Sequence, residues 1–155
     1  MALTSREVDF GAYDDHGRAV LLVEAKSLRQ TSEVWAARFR RDLMAHGALP
    51  KAPFFLIATP ERLYFWRQDH SGSNEEPPQY TMDATKQLRP YFEKFKQTPE
   101  KIGREVLELI LFSWLVDLAE SGQLRAKQDS SLKWLSDAGL LDSLNSARIE
   151  VSAVQ

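Results

Sequence analysis

The sequence predicts a single α/β (α+β) domain: a mixed β-sheet flanked by helices, with a helical C-terminal segment. Three observations predict it. Short apolar runs rich in β-formers come in two pairs separated by one helical repeat, giving the order β-β-α-β-β. From Asp83 onward the apolar spacing becomes helical and stays so almost to the end. The length of 155 residues suits one core that needs neither disulfides nor a structural metal.

Each element has its own signal. Residues 7–14, EVDFGAYD, carry β-formers, and Asp14-Asp15-His16-Gly17 is a turn sequence tolerant of left-handed geometry. Residues 19–26, AVLLVEAK, are apolar on both faces until their end, as a strand in the middle of a sheet would be. Thr31-Ser32-Glu33 offers a helix cap. The following SEVWAARFRRDLMAHG places Val34, Trp35, Phe39, Leu43 and Met44 on an apolar side, with Arg38, Arg40, Arg41 and Asp42 on the other surface and Gly47 as the stop. PFFLIAT over 53–59 reads as a second buried strand. Pro60-Glu61 turns the chain, and RLYFWR over 62–67 is a further strand. Residues 68–80 are polar with Gly, Ser and a Pro pair, which predicts a mobile loop. DATKQLRPYFEKFKQ is helical but broken by Pro90. Pro99 marks the start of a long helix ending at Gly122. A weaker helix is expected around Ser131 to Leu135, then a turn at Gly139, a short apolar stretch, and a terminal strand in ARIEVSAV. The expected division is a sheet-and-helix core over 1–97 and a helical segment over 98–155 packing on it.

Composition excludes several classes of function. There are 20 basic and 22 acidic residues, a net charge of -2. No global positive field draws nucleic acid, so any such contact needs a local basic patch. The absence of cysteine removes disulfide scaffolds, thiolate zinc sites, cysteine-bound iron–sulfur clusters and thiol catalysis, and it fits a reducing cytoplasm. MALTSREVDF has no apolar core region of a secretory signal. The longest apolar stretch, Val106 to Leu118, is interrupted by Glu108, Ser113 and Asp117, whereas a membrane span needs about 20 apolar residues. The expectation is a cytoplasmic protein with no membrane contact.

The chemistry concentrates in Asp9, Glu24 and Lys26. Alternation along a strand puts Glu24 and Lys26 on one face. A four-residue hairpin loop over 14–17 would set Asp9 opposite Leu22, and a two-residue loop over 16–17 would set it opposite Glu24. In both registers Asp9 shares the face of Glu24 and Lys26. An odd loop without a bulge would break the relation. Two carboxylates and an ammonium on one face of a buried hairpin are costly unless paired or used. Paired carboxylates bind a hard divalent cation through oxygen. Such a cation polarises a phosphoryl oxygen and acidifies a bound water, and a lysine orients that water or neutralises charge in the transition state. This is a coherent set for metal-assisted phosphodiester hydrolysis. The alternative is a cross-strand ion-pair cluster on a solvated sheet face.

The same residues carry a resemblance. Asp9 followed by Glu24-Ala25-Lys26 at the end of an apolar strand looks like the signature of the PD-(D/E)xK nucleases. The wider run REVDFGAYDDHGRAVLLVEAKS, a helix, then PFFLIATPERLYFWR resembles the nuclease-like N-terminal domain of type I restriction enzyme R subunits and of related small stand-alone proteins. It covers roughly residues 6–67. The resemblance implies a restriction-endonuclease-like mixed sheet, a Mg2+-dependent nuclease with Mn2+ as a substitute, and DNA as partner. It makes Asp9, Glu24 and Lys26 catalytic, with Asp9, Glu24 and the carbonyl of Ala25 as metal ligands.

The chain also departs from that pattern. Val8-Asp9 stands in place of Pro-Asp. The helix that normally precedes the first strand has no counterpart in the half-dozen residues before it. The long helix over 100–121 is the segment available to cover the same face, with Glu105 or Glu108 as substitute acids, and Glu7 lies on the Asp9 side of its strand. Arg38 and Asp42 occupy the positions of a Gln-x-x-x-Tyr pair after the lysine, and no helicase motifs are present. A catalytically inactive nuclease-like fold serving as a nucleic-acid-binding or protein-assembly module is therefore the second expectation. A third is a homodimer through the apolar helix 102–119.

The remaining candidates are weaker. Arg38 and Arg41, with Arg40 and Arg67 nearby, form a candidate phosphate-binding patch. His16, His46 and His70 fit no zinc spacing. Ser71 and Ser73 have no oriented base beside them and are not assigned as nucleophiles. Gly17 and Gly72 belong to turns, and Trp35, Trp66, Trp114 and Trp134 are expected in the core.

Overall fold

The computed structural model describes residues 9–45, 51–68 and 75–151. Glu7, His46, Gly47, His70, Ser71, Gly72 and Ser73 lie outside the described residues, so the expectations placed on them are not addressed.

Six strands form one mixed sheet. β1 (Phe10–Tyr13) and β2 (Ala19–Ala25) make the expected hairpin. The chain then crosses through α1 (Glu33–Ala45) to β3 (Phe54–Ala58), which lies parallel to β2. β4 (Arg62–Arg67) and β5 (Tyr80–Asp83) follow antiparallel. Next come α2 (Ala84–Gln87), α3 (Arg89–Lys94), α4 (Arg104–Gln128), a single 3-10 turn (Ser130–Leu132), α5 (Lys133–Asp137) and α6 (Leu140–Leu144). β6 (Arg148–Val151) returns to the sheet and pairs antiparallel with β1. The spatial order is β5-β4-β3-β2-β1-β6.

Sequence pattern explains the layering. β2 and β3 are the inner strands, and their nearly unbroken apolar runs are buried on both faces. One face, with Phe10, Leu21, Val23, Leu56 and Phe65, packs against Leu107, Ile110, Leu111 and Trp114 of α4 and against the short helices. The other, with Leu22, Phe55, Ile57 and Trp66, packs against Ala36 of α1 and the half-buried Trp35, Phe39 and Leu43. Ser32 caps α1 as expected: the Trp35 N–H donates to Ser32 Oγ at 3.1 Å. Among the described residues no helix is long and apolar enough to cross a membrane. Trp66, Trp114 and Trp134 are buried, and Trp35 stacks on Phe39.

Several expectations need correction. α1 turns Ala36, Ala37 and Arg40 inward, whereas Val34 and Met44 are exposed. Arg40 is 0% exposed rather than on the polar surface. Its guanidinium lies over the Trp66 ring, the guanidinium carbon 5.5 Å from the ring centroid, and its Nε donates to Gln68 Oε1 at 3.0 Å. Residues 80–83 form an edge strand rather than the end of a loop. Pro99 precedes a turn, and α4 begins only after Gly103. α4 also continues beyond Gly122 to Gln128, interrupted where Ser121 leaves helical geometry (φ -144°, ψ 19°). A Cβ at Gly122 would stand 2.9 Å from Leu141 Cδ2, so glycine there lets α6 approach. Leu107, Ile110, Leu111, Trp114, Leu115 and Leu118 of α4 pack into the chain's own core, while Leu109 on the same helix is exposed.

Candidate metal and catalytic site

The hairpin turn fixes where Asp9 lies. The Asp14 carboxylate accepts the N–H groups of His16 and Arg18 at 2.9 Å each, the Arg18 carbonyl accepts the Asp14 N–H, and Gly17 supplies the positive φ of 77°. Tyr13 then pairs with Ala19, which leaves a five-residue loop. A register shift follows at once: Ala12 pairs with Leu21, so Val20 is a bulge residue. The odd loop and the bulge cancel. Phe10 faces Val23, and the Asp9 N–H just before β1 donates to the same Val23 carbonyl at 3.1 Å, so the regular pairing ends at Phe10. The Asp9–Leu22 pairing does not occur.

Asp9 is 6% exposed and Glu24 2%. Asp9 Oδ2 accepts the Ala25 N–H at 2.6 Å, and Asp9 Oδ1 accepts NH2 of Arg104 at 2.6 Å. Glu24 Oε2 lies 3.6 Å from Lys26 Nζ, and the Lys26 side chain is 30% exposed. Its ammonium sits 5.0 Å from the centroid of the Phe39 ring on α1. Glu24 and Lys26 therefore share a face, as alternation requires. Asp9, just before β1, directs its carboxylate to the Ala25 N–H and to α4, whereas Glu24 and Lys26 lie on the α1 side with Leu22 and Phe39, so the expected single face for all three is not formed. The structure brings all three residues to one end of the sheet, with Asp9 tied to α4 and Glu24 to Lys26.

α4 supplies two further residues. Arg104 Nε donates to Glu108 Oε2 at 3.0 Å while NH2 holds Asp9. Burial would lower the Arg104 guanidinium, but the hydrogen bond and charge of Asp9, with Glu108, raise it on balance. The Glu108 carboxyl is pushed above its ordinary value, first by burial and then by the Asp9 charge beside it. Glu108 is thus the acid that the long helix brings to this end of the sheet, and Glu105 is exposed outside the cluster. Arg29 braces the arrangement. Its Nε and NH2 donate to the Pro99 carbonyl at 3.1 and 2.6 Å, NH2 also to the Ile102 carbonyl at 2.9 Å, and NH1 to the Ser27 carbonyl at 3.0 Å. The segment after β2 is thereby fixed to the turn that launches α4.

Sequence reasoning missed Arg104 and Arg29. One signal was available: a cation in the first turn of a helix opposes the helix dipole, so Arg104 needs a carboxylate to justify its position. The expected basic patch is not part of the cluster. Arg38 Nε lies 3.5 Å from Glu75 Oε1, and Arg41 pairs with Glu75 and Asp42; neither touches Asp9, Glu24 or Lys26.

The donor chemistry suits a hard divalent cation. Two buried carboxylates stand beside a backbone whose Ala25 N–H turns toward Asp9, while the next N–H, that of Lys26, turns to the Ala58 carbonyl of β3 at 2.9 Å. In extended backbone a residue's N–H and C=O point the same way, so the Ala25 carbonyl also faces the Asp9 side. All three are oxygen donors of the kind magnesium takes. Among the described residues no group of three acidic, histidine or cysteine side chains is gathered as a ligand set. The cation on Asp9 in this structure is Arg104. No family model, curated protein or solved structure matches the chain.

Proposed function

We propose that the chain is a metal-dependent nuclease of PD-(D/E)xK type that hydrolyses phosphodiester bonds of DNA in the cytoplasm. The observation carrying this reading is the burial of two carboxylates, Asp9 and Glu24, at one end of the sheet beside a half-exposed Lys26. Buried carboxylates are costly unless an interaction or a function keeps them. Asp9, Glu24 and the Ala25 carbonyl would hold Mg2+, with Mn2+ as a substitute. The bound ion would supply Lewis-acid polarisation of a phosphoryl oxygen. Lys26 reaches the surface from the same strand end, where its ammonium orients a water or offsets charge on the phosphoryl group.

One observation favours a second reading, a nuclease-like fold without catalysis that binds nucleic acid or a partner protein. Asp9 is already held by Arg104, and Arg38 and Arg41 are answered by Glu75.

The test is cleavage of plasmid, linear and single-stranded DNA with Mg2+ or Mn2+, with Lys26→Ala and Glu24→Ala beside the wild type. The nuclease reading expects cleavage that both variants lose while staying folded. Absence of cleavage with every metal and substrate transfers the weight to the binding module.

A further inference from the structure

Arg104 stands where a helix least favours a cation, in the first turn of α4. Its guanidinium is nevertheless gripped by two carboxylates, Asp9 at 2.6 Å and Glu108 at 3.0 Å. This placement is engineered by the backbone: Arg29 holds the carbonyls of Pro99 and Ile102, the turn from which Arg104 emerges. Asp9 divides its oxygens. Oδ2 serves the Ala25 N–H, and Oδ1, the oxygen left over, serves Arg104. A metal liganded through Oδ1 would meet the Arg104 guanidinium on that same oxygen. Two cations within a few ångströms on one carboxylate repel strongly where water is scarce. The Arg104 side chain is 43% exposed on a long stem, so it can leave for solvent without opening the core.

We propose that Arg104 is an internal counter-cation that competes with a divalent metal for Asp9, so that it sets the cation affinity of the site and is expelled from Asp9 when the metal binds. This rests on the metal-binding reading above and assigns that site a residue controlling its occupancy. In the absence of metal, Arg104 keeps Asp9 and Glu108 from repelling each other and keeps the site assembled. Replacing Arg104 removes the competitor from Asp9 Oδ1.

The experiment is calorimetric titration of the metal-free protein with Mn2+ and with Mg2+. Wild type, Arg104→Gln, Arg104→Lys and Glu24→Gln are compared, and the fold of each is checked by circular dichroism. Loss of a charge-assisted competitor is expected to tighten Arg104→Gln about tenfold. Arg104→Lys keeps the charge without the two-pronged grip, so it should fall between wild type and Arg104→Gln and remains informative if the glutamine variant is unstable. Glu24→Gln should bind weakly or not at all. Equal affinity in wild type and both Arg104 variants overturns the competition while leaving the metal site intact, and so does weaker binding in the variants. Absence of binding in every protein overturns the metal reading itself.

Discussion

Asp9→Asn is nearly isosteric, and the geometry says it will not be tolerated quietly. Both Asp9 oxygens accept from donors, the Ala25 N–H and the Arg104 guanidinium, at 2.6 Å each. An asparagine keeps one acceptor and turns its NH2 toward the other donor, whichever way it flips. If it keeps Ala25, a charge-assisted hydrogen bond to Arg104 is lost, a loss of about 1.5–3 kcal/mol before screening. Solvent reduces that figure, because the Arg104 side chain is 43% exposed. If it keeps Arg104, the buried Ala25 N–H is orphaned, which costs about 1–3 kcal/mol. Either orientation gives about 2 kcal/mol. At roughly 2–4 °C per kcal/mol for a chain of this size, Tm should fall by about 4–8 °C. The assay is calorimetric melting in chelator of the wild type, Asp9→Asn, Arg104→Gln and the double variant. The two changes should be coupled by about 1–2 kcal/mol, so the double variant loses less than the sum. Additivity to within about 0.3 kcal/mol, or an unshifted Tm in Asp9→Asn, would refute the claim that Asp9 and Arg104 hold each other.

Other parts of the fold make further predictions. Arg29→Ala leaves the carbonyls of Pro99 and Ile102 without their donor and should cost about 2 kcal/mol, with faster amide exchange confined to residues 98–104; Arg29→Lys, a single point donor, should not restore protection. Arg40→Met should melt within about 1 kcal/mol of wild type or above it, because NH1 and NH2 of the buried Arg40 make no hydrogen bond and NH1 comes no nearer than 4.0 Å to Glu76 Oε1, whereas Arg40→Ala should lose about 2–4 kcal/mol to the cavity left beside Trp66. The Tyr91 phenol is pushed up to about 12, first by burial and then by its hydrogen bond to Asp117. The folded chain therefore keeps this proton longer than the unfolded one: the contribution is complete below the ordinary value of 10.0 and is lost as pH rises through about 12. Tyr91→Phe should remove a phenol that ionises near 12 in an ultraviolet titration and flatten stability across that window.

The inner strands were legible because burial on both faces leaves runs such as LLVEA and FFLIA that nothing else in a soluble domain requires. Ser32 was legible as a cap because a hydroxyl before a helical repeat has one obvious partner. β5 was not: YTMD is a half-buried edge strand with neither alternation nor an apolar run, and its place is set by pairing with β4. Arg40 was misplaced because its charge outweighed its spacing. It follows Ala36 at i+4 on the inward face, where the Trp66 indole, Gln68 and Glu76, all distant in sequence, receive its guanidinium. The nearness of Asp9 to the end of β2 was legible in the hairpin, whereas the five-residue turn, its bulge and the turn of the Asp9 carboxylate toward α4 were not. Arg104 lies 95 residues from Asp9, and no local pattern names the carboxylate that a distant cation will meet.

β1 is sandwiched between β2, which follows it directly, and β6, formed by the last residues described. On a ribosome this imposes an order of events. The hairpin can close early, yet the outer edge of β1 has no strand to meet until residues 148–151 emerge, and Asp9 lacks Arg104 until α4 has been made. A partly synthesised chain thus carries an open strand edge, a template for pairing with other chains. The open edge is covered only once residues 148–151 have been made. Folding of this protein should therefore be cooperative and late rather than progressive, and the acidic end of the sheet should be among the last parts to acquire its final geometry.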